Sequence, residues 1–226
     1  MDDNNVNLSE VNKSLDKEVD NSVDVNDNND KDIEETYNED EFFYTLKIPN
    51  NRIGALIGKK GAQKKRLQEL TGAKIEIDSK EGMVSIYHND SLKLYVTKEI
   101  IKAVGRGFNP EVALLLLKQD YTNEIISLRD YVKSKNSLIR IKGRIIGEKG
   151  KSRETIEKLT ETNICVFGKT VSIIGRLEKI NLTKESIIML IEGSPHAGVY
   201  EFLERSKRKV KEDNILETFV KDRNDY

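Results

Sequence analysis

Two short loops, set eighty-nine residues apart in one register, constrain this chain more than any other feature. The first is Gly58-Lys59-Lys60-Gly61, reached through Ile53-Gly54-Ala55-Leu56-Ile57 and followed by Ala62-Gln63-Lys64-Lys65-Arg66. The second is Gly147-Glu148-Lys149-Gly150, reached through Ile145 and Ile146 and followed by Lys151-Ser152-Arg153. Glycine at both ends lets the backbone turn tightly and leaves no Cβ to hold another backbone away. The helix each loop opens begins with N–H groups that have no partner within it, a ready seat for an anion. Without gaps, residues 57–77 match residues 146–166 at seven of twenty-one positions. The matches are Ile57, Gly58, Lys60, Gly61, Leu70, Thr71 and Ile75 with Ile146, Gly147, Lys149, Gly150, Leu159, Thr160 and Ile164. An internal duplication accounts for loops and core positions repeating together.

The first copy reads as strand, helix, loop, helix, strand, strand, helix. Phe42 to Ile48 has the aromatic and β-branched content of a strand, ended by Pro49-Asn50-Asn51. A helix is expected from Ala62 to Thr71, with Leu67 and Leu70 on its apolar face and Gly72 stopping it. Lys74-Ile75-Glu76-Ile77-Asp78 alternates with period two, and Met83 to Tyr87 supplies its hairpin partner. A helix over Ser91 to Val104 closes the unit.

Between the copies, Asn109-Pro110 starts a helix through Leu114-Leu115-Leu116-Leu117, too apolar to face water and expected to pack the two units together. Glu124 to Tyr131 is the candidate first strand of the second copy, although a helix also fits there. A helix over Ser152 to Thr162 precedes two strands, Asn163 to Phe167 and Thr170 to Ile174, joined by Gly168-Lys169. Helices over Thr183 to Glu192 and after Gly193-Ser194-Pro195 end the chain.

Charge divides the 226 residues further. Residues 1–41 hold fifteen Asp or Glu against three Lys, and too little apolar area to offset ordering, so a disordered acidic tail is expected. The remainder holds 35 basic and 24 acidic residues, a balance of +11, the footprint of a polyanion partner. A single cysteine, Cys165, excludes an intramolecular disulfide, and with only His88 and His196 beside it no transition-metal site or cofactor is expected. With no apolar leader and no long apolar run, a cytoplasmic protein is expected.

Both copies resemble KH domains, whose mark is a GxxG loop between two helices on a three-stranded sheet. The tandem pair, together with the run Gly193-Ser194-Pro195-His196-Ala197-Gly198 and with Gly168-Lys169-Thr170-Val171, is similar to the archaeal relatives of the small-subunit ribosome-assembly family called partner of Nob one in eukaryotes. The resemblance implies an α+β fold of two type I KH domains in tandem. We place the acidic tail at 1–41, the first domain at 42–108, a helical spacer at 109–123, the second domain with C-terminal helices at 124–212, and a C-terminal tail at 213–226. It also implies binding of single-stranded RNA at the 3′ region of small-subunit rRNA, maturation by a separate endonuclease, and contact with a translation initiation factor.

Carried over residue by residue, the first clamp is Gly58, Lys59, Lys60 and Gly61, with Ile53 and Ile57 on an apolar base groove and Ile75 and Ile77 opposite. The second is Gly147, Glu148, Lys149 and Gly150, with Ile145, Ile146, Ile164 and Val166. Lys64, Lys65, Arg144, Lys151 and Arg153 are expected at phosphates. Glu148 departs from the basic pattern, standing where the first loop has Lys59.

Enzyme readings fail on spacing. Gly150-Lys151-Ser152 needs a glycine at position 145 to complete a phosphate-binding P-loop, and Ile145 stands there. Gly105-Arg106-Gly107-Phe108-Asn109-Pro110 lacks the last glycine of a dinucleotide fingerprint, and no carboxylate cluster suits a two-metal nuclease. A non-catalytic RNA binder is expected. The alternatives are a protein adaptor for a translation initiation or RNA-processing factor, or a transcription- or exosome-associated KH protein.

Overall fold

The computed structural model describes residues 42–209, so the expected tails at 1–41 and 213–226 lie outside the described residues. The chain divides into two compact units, one ending at Lys98 and the other beginning at Glu99. Each contains a three-stranded antiparallel sheet, and the middle strand in both is the last in sequence.

In unit 1, β1 (Phe42–Lys47) is followed by α1 (Asn50–Ile57), a tight turn (Lys59–Gly61), α2 (Ala62–Thr71), β2 (Lys74–Asp78), β3 (Met83–His88) and the start of α3 (Ser91–Gly105). Period-two alternation puts Ile75 opposite Ile86 and Ile77 opposite Val84, on the face that carries the buried core. Ile48, Ile53, Leu56, Leu67, Val84 and Ile86 complete that core, each contributing on the order of 1.5–3 kcal/mol by leaving water. The sheet's other face stays partly exposed. There Phe43 stacks on Tyr87 at 6.1 Å, Lys74 lies 5.1 Å from the Tyr87 ring centre, and Thr45 Oγ1 sits 3.1 Å from Ser85 Oγ.

Leu70 departs from its expected place. It is 51 % exposed on α2, while the next residue, Thr71, is buried and donates its hydroxyl to Leu67 O at 2.8 Å. The short α2 spends its single inward stripe on Leu67 and Thr71.

Unit 2 repeats the plan with additions. Its elements are α4 (Pro110–Ala113), β4 (Tyr121–Ser127), α5 (Lys135–Ile146), a tight turn (Glu148–Gly150), α6 (Lys151–Thr160), β5 (Asn163–Phe167), β6 (Thr170–Arg176) and α7 (Leu177–Glu192), then α8 over 196–209. The first strand begins at Tyr121 rather than Glu124 and gives way at Leu128 to a 3-10 turn, so the strand reading holds for its centre only. The α7 helix starts at Leu177, six residues ahead of the expected Thr183. The core gathers Ile126, Leu128, Leu138, Ile141, Ile145, Ile156, Ile164, Val171 and Ile173 with Ile187 and Leu190 of α7 and Val199 and Leu203 of α8.

The spacer belongs to this unit. Its leucines form a 3-10 turn (Leu114–Leu117) lying against β4 and β6, instead of continuing one helix from Pro110. A Cβ built on Gly107 would stand 2.7 Å from Cys165 Sγ and 3.0 Å from Phe167 Cβ, so chain also lies close over β5. Cys165 therefore packs within the unit, as a structural thiol should. Consequently β6 is buried at every position from Thr170 to Gly175, on both faces.

Candidate nucleic-acid interface

The two GxxG turns have the same backbone. Gly58 and Gly147 lie at φ/ψ 72/179° and 73/178°, Lys60 and Lys149 at 52/29° and 50/28°, and Gly61 and Gly150 at 78/9° and 83/1°. Lys60 and Lys149 are non-glycine residues in the left-handed region, which costs roughly 1–2 kcal/mol each and clusters at functional positions. A helix on either side holds each turn. The loop's first N–H donates back into the preceding helix, Gly58 to Gly54 O at 2.9 Å and Gly147 to Gly143 O at 2.8 Å.

The paired glycines do different work. A Cβ on Gly58 would meet Gln63 Cγ at 2.6 Å and Gln63 N at 3.0 Å; one on Gly147 would meet Ser152 Cβ at 2.6 Å and Ser152 N at 2.8 Å. The first glycine lets the following helix close in. Around Gly61 and Gly150, among the described residues, no heavy atom beyond the chain neighbours lies within 4 Å of an added Cβ. That open side leads to α2 and α6, neither of which has a side-chain cap on its first-turn N–H groups. An approaching phosphate would find those donors and the positive helix end together. Lys59, Lys60, Lys149 and Lys151 are exposed beside it, and Glu148 is exposed in the place of Lys59.

The expected groove is narrower than the expected residues suggest. Ile53, Ile75, Ile145 and Ile164 are at most 4 % exposed and belong to the cores, so they offer no surface to a base. Ile57 and Ile77 in unit 1, and Ile146 and Val166 in unit 2, remain partly exposed. They are register equivalents, since 57 + 89 = 146 and 77 + 89 = 166.

Arg144, expected at a phosphate, has partners within the fold. Its guanidinium donates from Nε to Leu190 O at 3.0 Å and from Nη2 to Ser194 O at 2.6 Å, so it is engaged within unit 2. Arg153 is likewise engaged, with Nε 3.6 Å from Glu157 Oε2. Glu157 Oε1 accepts the Ile164 N–H at 2.7 Å, tying α6 to β5. Burial raises the Glu157 carboxyl above its ordinary value, opposed by that N–H and by Arg153. In unit 1, half-buried Lys64 and exposed Lys65 follow the loop, Lys65 with a loose 3.9 Å partner in Glu69. Across the sheet, the Lys74 ammonium holds the Glu76 carboxyl below its ordinary value.

Gly54 and Gly143 are missing from the expected site. Both are exposed inside helices, neither has a described atom from outside its own stretch of helix within 4 Å of an added Cβ, and both supply the carbonyl that receives the loop. Mid-helix glycine costs about 1 kcal/mol, so two at unpacked positions beside the loops suit close approach of a ligand. Their signal was the repeat itself, extended three residues upstream of Ile57, since 54 + 89 = 143.

Family models match both units: a KH domain over residues 43–99, and over residues 122–208 the eukaryotic-type, type I KH domain that stands second in PNO1. A KH domain-containing protein of Methanocaldococcus jannaschii is 46% identical over 177 residues, covering 76% of this chain and 78% of that protein. This chain is a tandem KH protein of the Pno1/Dim2 family. The RNA-binding protein pno1 of Dictyostelium discoideum is 30% identical over 80% of this chain and 77% of its own length. Against the pre-rRNA-processing protein pno1 of Aspergillus fumigatus the chain spans about half of that relative, 52%. Among solved structures, the complex of a/eIF2alpha, aDim2p and rRNA from Pyrococcus horikoshii holds a chain that is 43% identical with a TM-score of 0.71, covering 75% of this chain and 96% of that one. In this Pno1/Dim2 relative, then, each GxxG turn lies inside a stretch that a KH-domain model matches. Among the described residues no three His, Cys, Asp or Glu side chains gather as metal ligands, and no helix is long and apolar enough to cross a membrane.

Proposed function

We propose that this protein binds single-stranded RNA at both GxxG loops, and that its RNA is the 3′ region of small-subunit rRNA during ribosome assembly and maturation. The observation that carries the reading is the pair of superimposable turns, each opening an uncapped helix with free space beside its second glycine. Each loop would hold about four nucleotides of backbone, with bases against Ile57 and Ile77 or against Ile146 and Val166. Exposed Lys59, Lys60 and Lys65 and half-buried Lys64 would neutralise phosphates in unit 1, and Lys149 and Lys151 in unit 2. Two modest sites on one chain gain affinity through effective concentration.

The protein works here as a cytoplasmic, non-catalytic binder, leaving cleavage to a separate endonuclease. The Pyrococcus horikoshii relative occurs in a complex with rRNA and a/eIF2alpha, which supports both rRNA and a translation initiation factor alpha subunit as partners. A second reading, unit 2 as a protein-binding scaffold, is favoured by one observation. Glu148 replaces a lysine there, and Arg144 and Arg153 are engaged within the fold.

The test is binding of a fluorescent 3′-terminal small-subunit rRNA fragment across a salt series. It compares wild type with Lys59→Asp/Lys60→Asp and Lys149→Asp/Lys151→Asp. Both variants should lose affinity, and log K of wild type should fall by roughly 0.7 per phosphate contact for each decade of salt. Loss in the first variant alone would make unit 2 the scaffold. No loss in either would refute the RNA reading of the loops.

A further inference from the structure

The turn Gly193-Ser194-Pro195-His196 singles out unit 2 in sequence, and the structure shows what it touches. It ends α7 with Gly193 at φ 106°, where Gly193 N donates to Leu190 O at 3.3 Å and Ser194 N to Met189 O at 2.9 Å. This left-handed stop satisfies some of the helix's last carbonyls. Arg144 takes the same end from outside, through Leu190 O and Ser194 O.

The favour is returned. The Arg144 carbonyl belongs to the last turn of α5, and continuing that helix would send it the N–H of Glu148. The chain leaves the helix at Gly147, and His196 Nε2 lies 2.9 Å from Arg144 O instead. A carbonyl only accepts, so Nε2 carries the proton. His196 rests beside Tyr200, with ring centres 6.2 Å apart. The helix it begins is anchored by Val199 and Leu203, both fully buried. Unit 1 has Ala55 in the position of Arg144, since 55 + 89 = 144, and so lacks this side chain.

We propose that Arg144 and His196 are positioning residues for the second loop. Their reciprocal capping joins the α7–α8 turn to the last turn of α5 and fixes the direction in which the chain enters Gly147. The pose of Glu148-Lys149-Gly150, and with it the RNA affinity of unit 2, depends on a helix that need not touch RNA. This rests on the reading that the second loop binds RNA. It also gives the loop with fewer available cations a more rigid frame, and preorganised sites lose less free energy on binding.

The experiment uses the full chain with the same fluorescent 3′-terminal rRNA fragment, and compares Arg144→Met, His196→Leu and His196→Gln. Arg144→Met and His196→Leu should each weaken binding roughly tenfold with an unchanged salt slope, and together no more than either alone. His196→Gln, whose amide can donate from nearly the same place, should bind as wild type. Amide exchange at Gly150 in RNA-free protein should quicken in His196→Leu and stay slow in His196→Gln.

A salt slope reduced by about 0.7 in Arg144→Met would make Arg144 a phosphate ligand and overturn the proposal. So would unchanged exchange at Gly150 in His196→Leu, which also decides the matter if Arg144→Met fails to fold. Lys149→Asp/Lys151→Asp separates the two readings. Lost affinity there, with normal affinity in folded Arg144→Met and His196→Leu, refutes positioning alone. Normal affinity in all of them removes the RNA role of the second loop, and the proposal falls with it.

Discussion

Lys59-Lys60 and Glu148-Lys149 occupy turns of one geometry in units that are built differently around them. In unit 1 the middle strand β3 buries alternate residues, Val84 and Ile86, and leaves the intervening positions partly exposed. In unit 2 the middle strand β6 is buried on both faces, with the spacer lying against β4 and β6, chain at Gly107 close to β5, and α8 adding to the core. Duplication kept the turn, whose φ/ψ values a ligand would read, and let the supporting surfaces diverge. A strand can change from half-buried to fully buried without moving the loop. A shift of the loop's glycines by one residue would place a Cβ where backbone must pass.

The largest expected effect separates the two glycines of each loop. Gly147→Ala should destabilise unit 2 by about 3 kcal/mol, since its Cβ must displace Ser152 backbone as well as accept a positive φ. Gly58→Ala should cost somewhat less, because its nearest obstacle is Gln63 Cγ, out along a flexible side chain, and the Gln63 backbone N stands at 3.0 Å against 2.8 Å for that of Ser152. Gly150→Ala and Gly61→Ala should cost only about 1 kcal/mol, the conformational part alone. Urea unfolding followed by circular dichroism measures all four, and equal losses at Gly147 and Gly150 would contradict the division of roles.

A smaller effect tests the helix that follows each loop. Unit 1 ends α2 with Gly72 at φ 74°, while unit 2 ends α6 with Glu161 at φ 58°. Glu161→Gly should stabilise unit 2 by up to about 1 kcal/mol by relieving that backbone. The Lys207 ammonium 3.9 Å from its carboxylate is a surface pair whose loss matters little. Gly72→Ala should move unit 1 the other way. Thermal melting of both variants checks the sign, and a lower Tm for Glu161→Gly would show that the ion pair outweighs the strain.

The smallest expected effect is a pH dependence peculiar to unit 2. Burial raises the folded-state pKa of Glu157 above the ordinary 4.5, so the folded unit holds that proton more tightly than the unfolded chain. The associated stability is complete below about pH 4.5 and is lost as pH rises through the raised folded value. Glu157→Gln keeps an acceptor for the Ile164 N–H and cannot ionise. It should stay within about 1 kcal/mol of wild type and show a smaller fall in stability from pH 4.5 toward neutrality. Parallel slopes for the two proteins would leave Glu157 without this role.

Much of this was legible because the information is local. The α2 helix runs from Ala62 to Thr71, and β2 and β5 cover Lys74–Asp78 and Asn163–Phe167, as period and punctuation predict. Spacing also led astray where the partner is remote. Arg144, three residues before Gly147, has the composition of a phosphate ligand, yet its partners Leu190 and Ser194 are 46 and 50 residues away. Ile53 and Ile57 look alike in sequence, one helical turn apart, and only packing shows that one is core and the other still partly exposed.

By itself the sequence determined the repeat, the two turns and the alternation of strands and helices, because glycine placement and hydrophobic period act over a few residues. His196 was legible as a residue at the start of a helix, but not as the donor that caps α5. The tertiary structure alone decided which apolar positions keep a surface, which side chains of the expected site are engaged within the fold, and that α8, the last helix among the described residues, meets the end of α5 through His196. Those outcomes depend on groups distant in sequence competing for the same carbonyls and the same buried volume, and chain order does not record that competition.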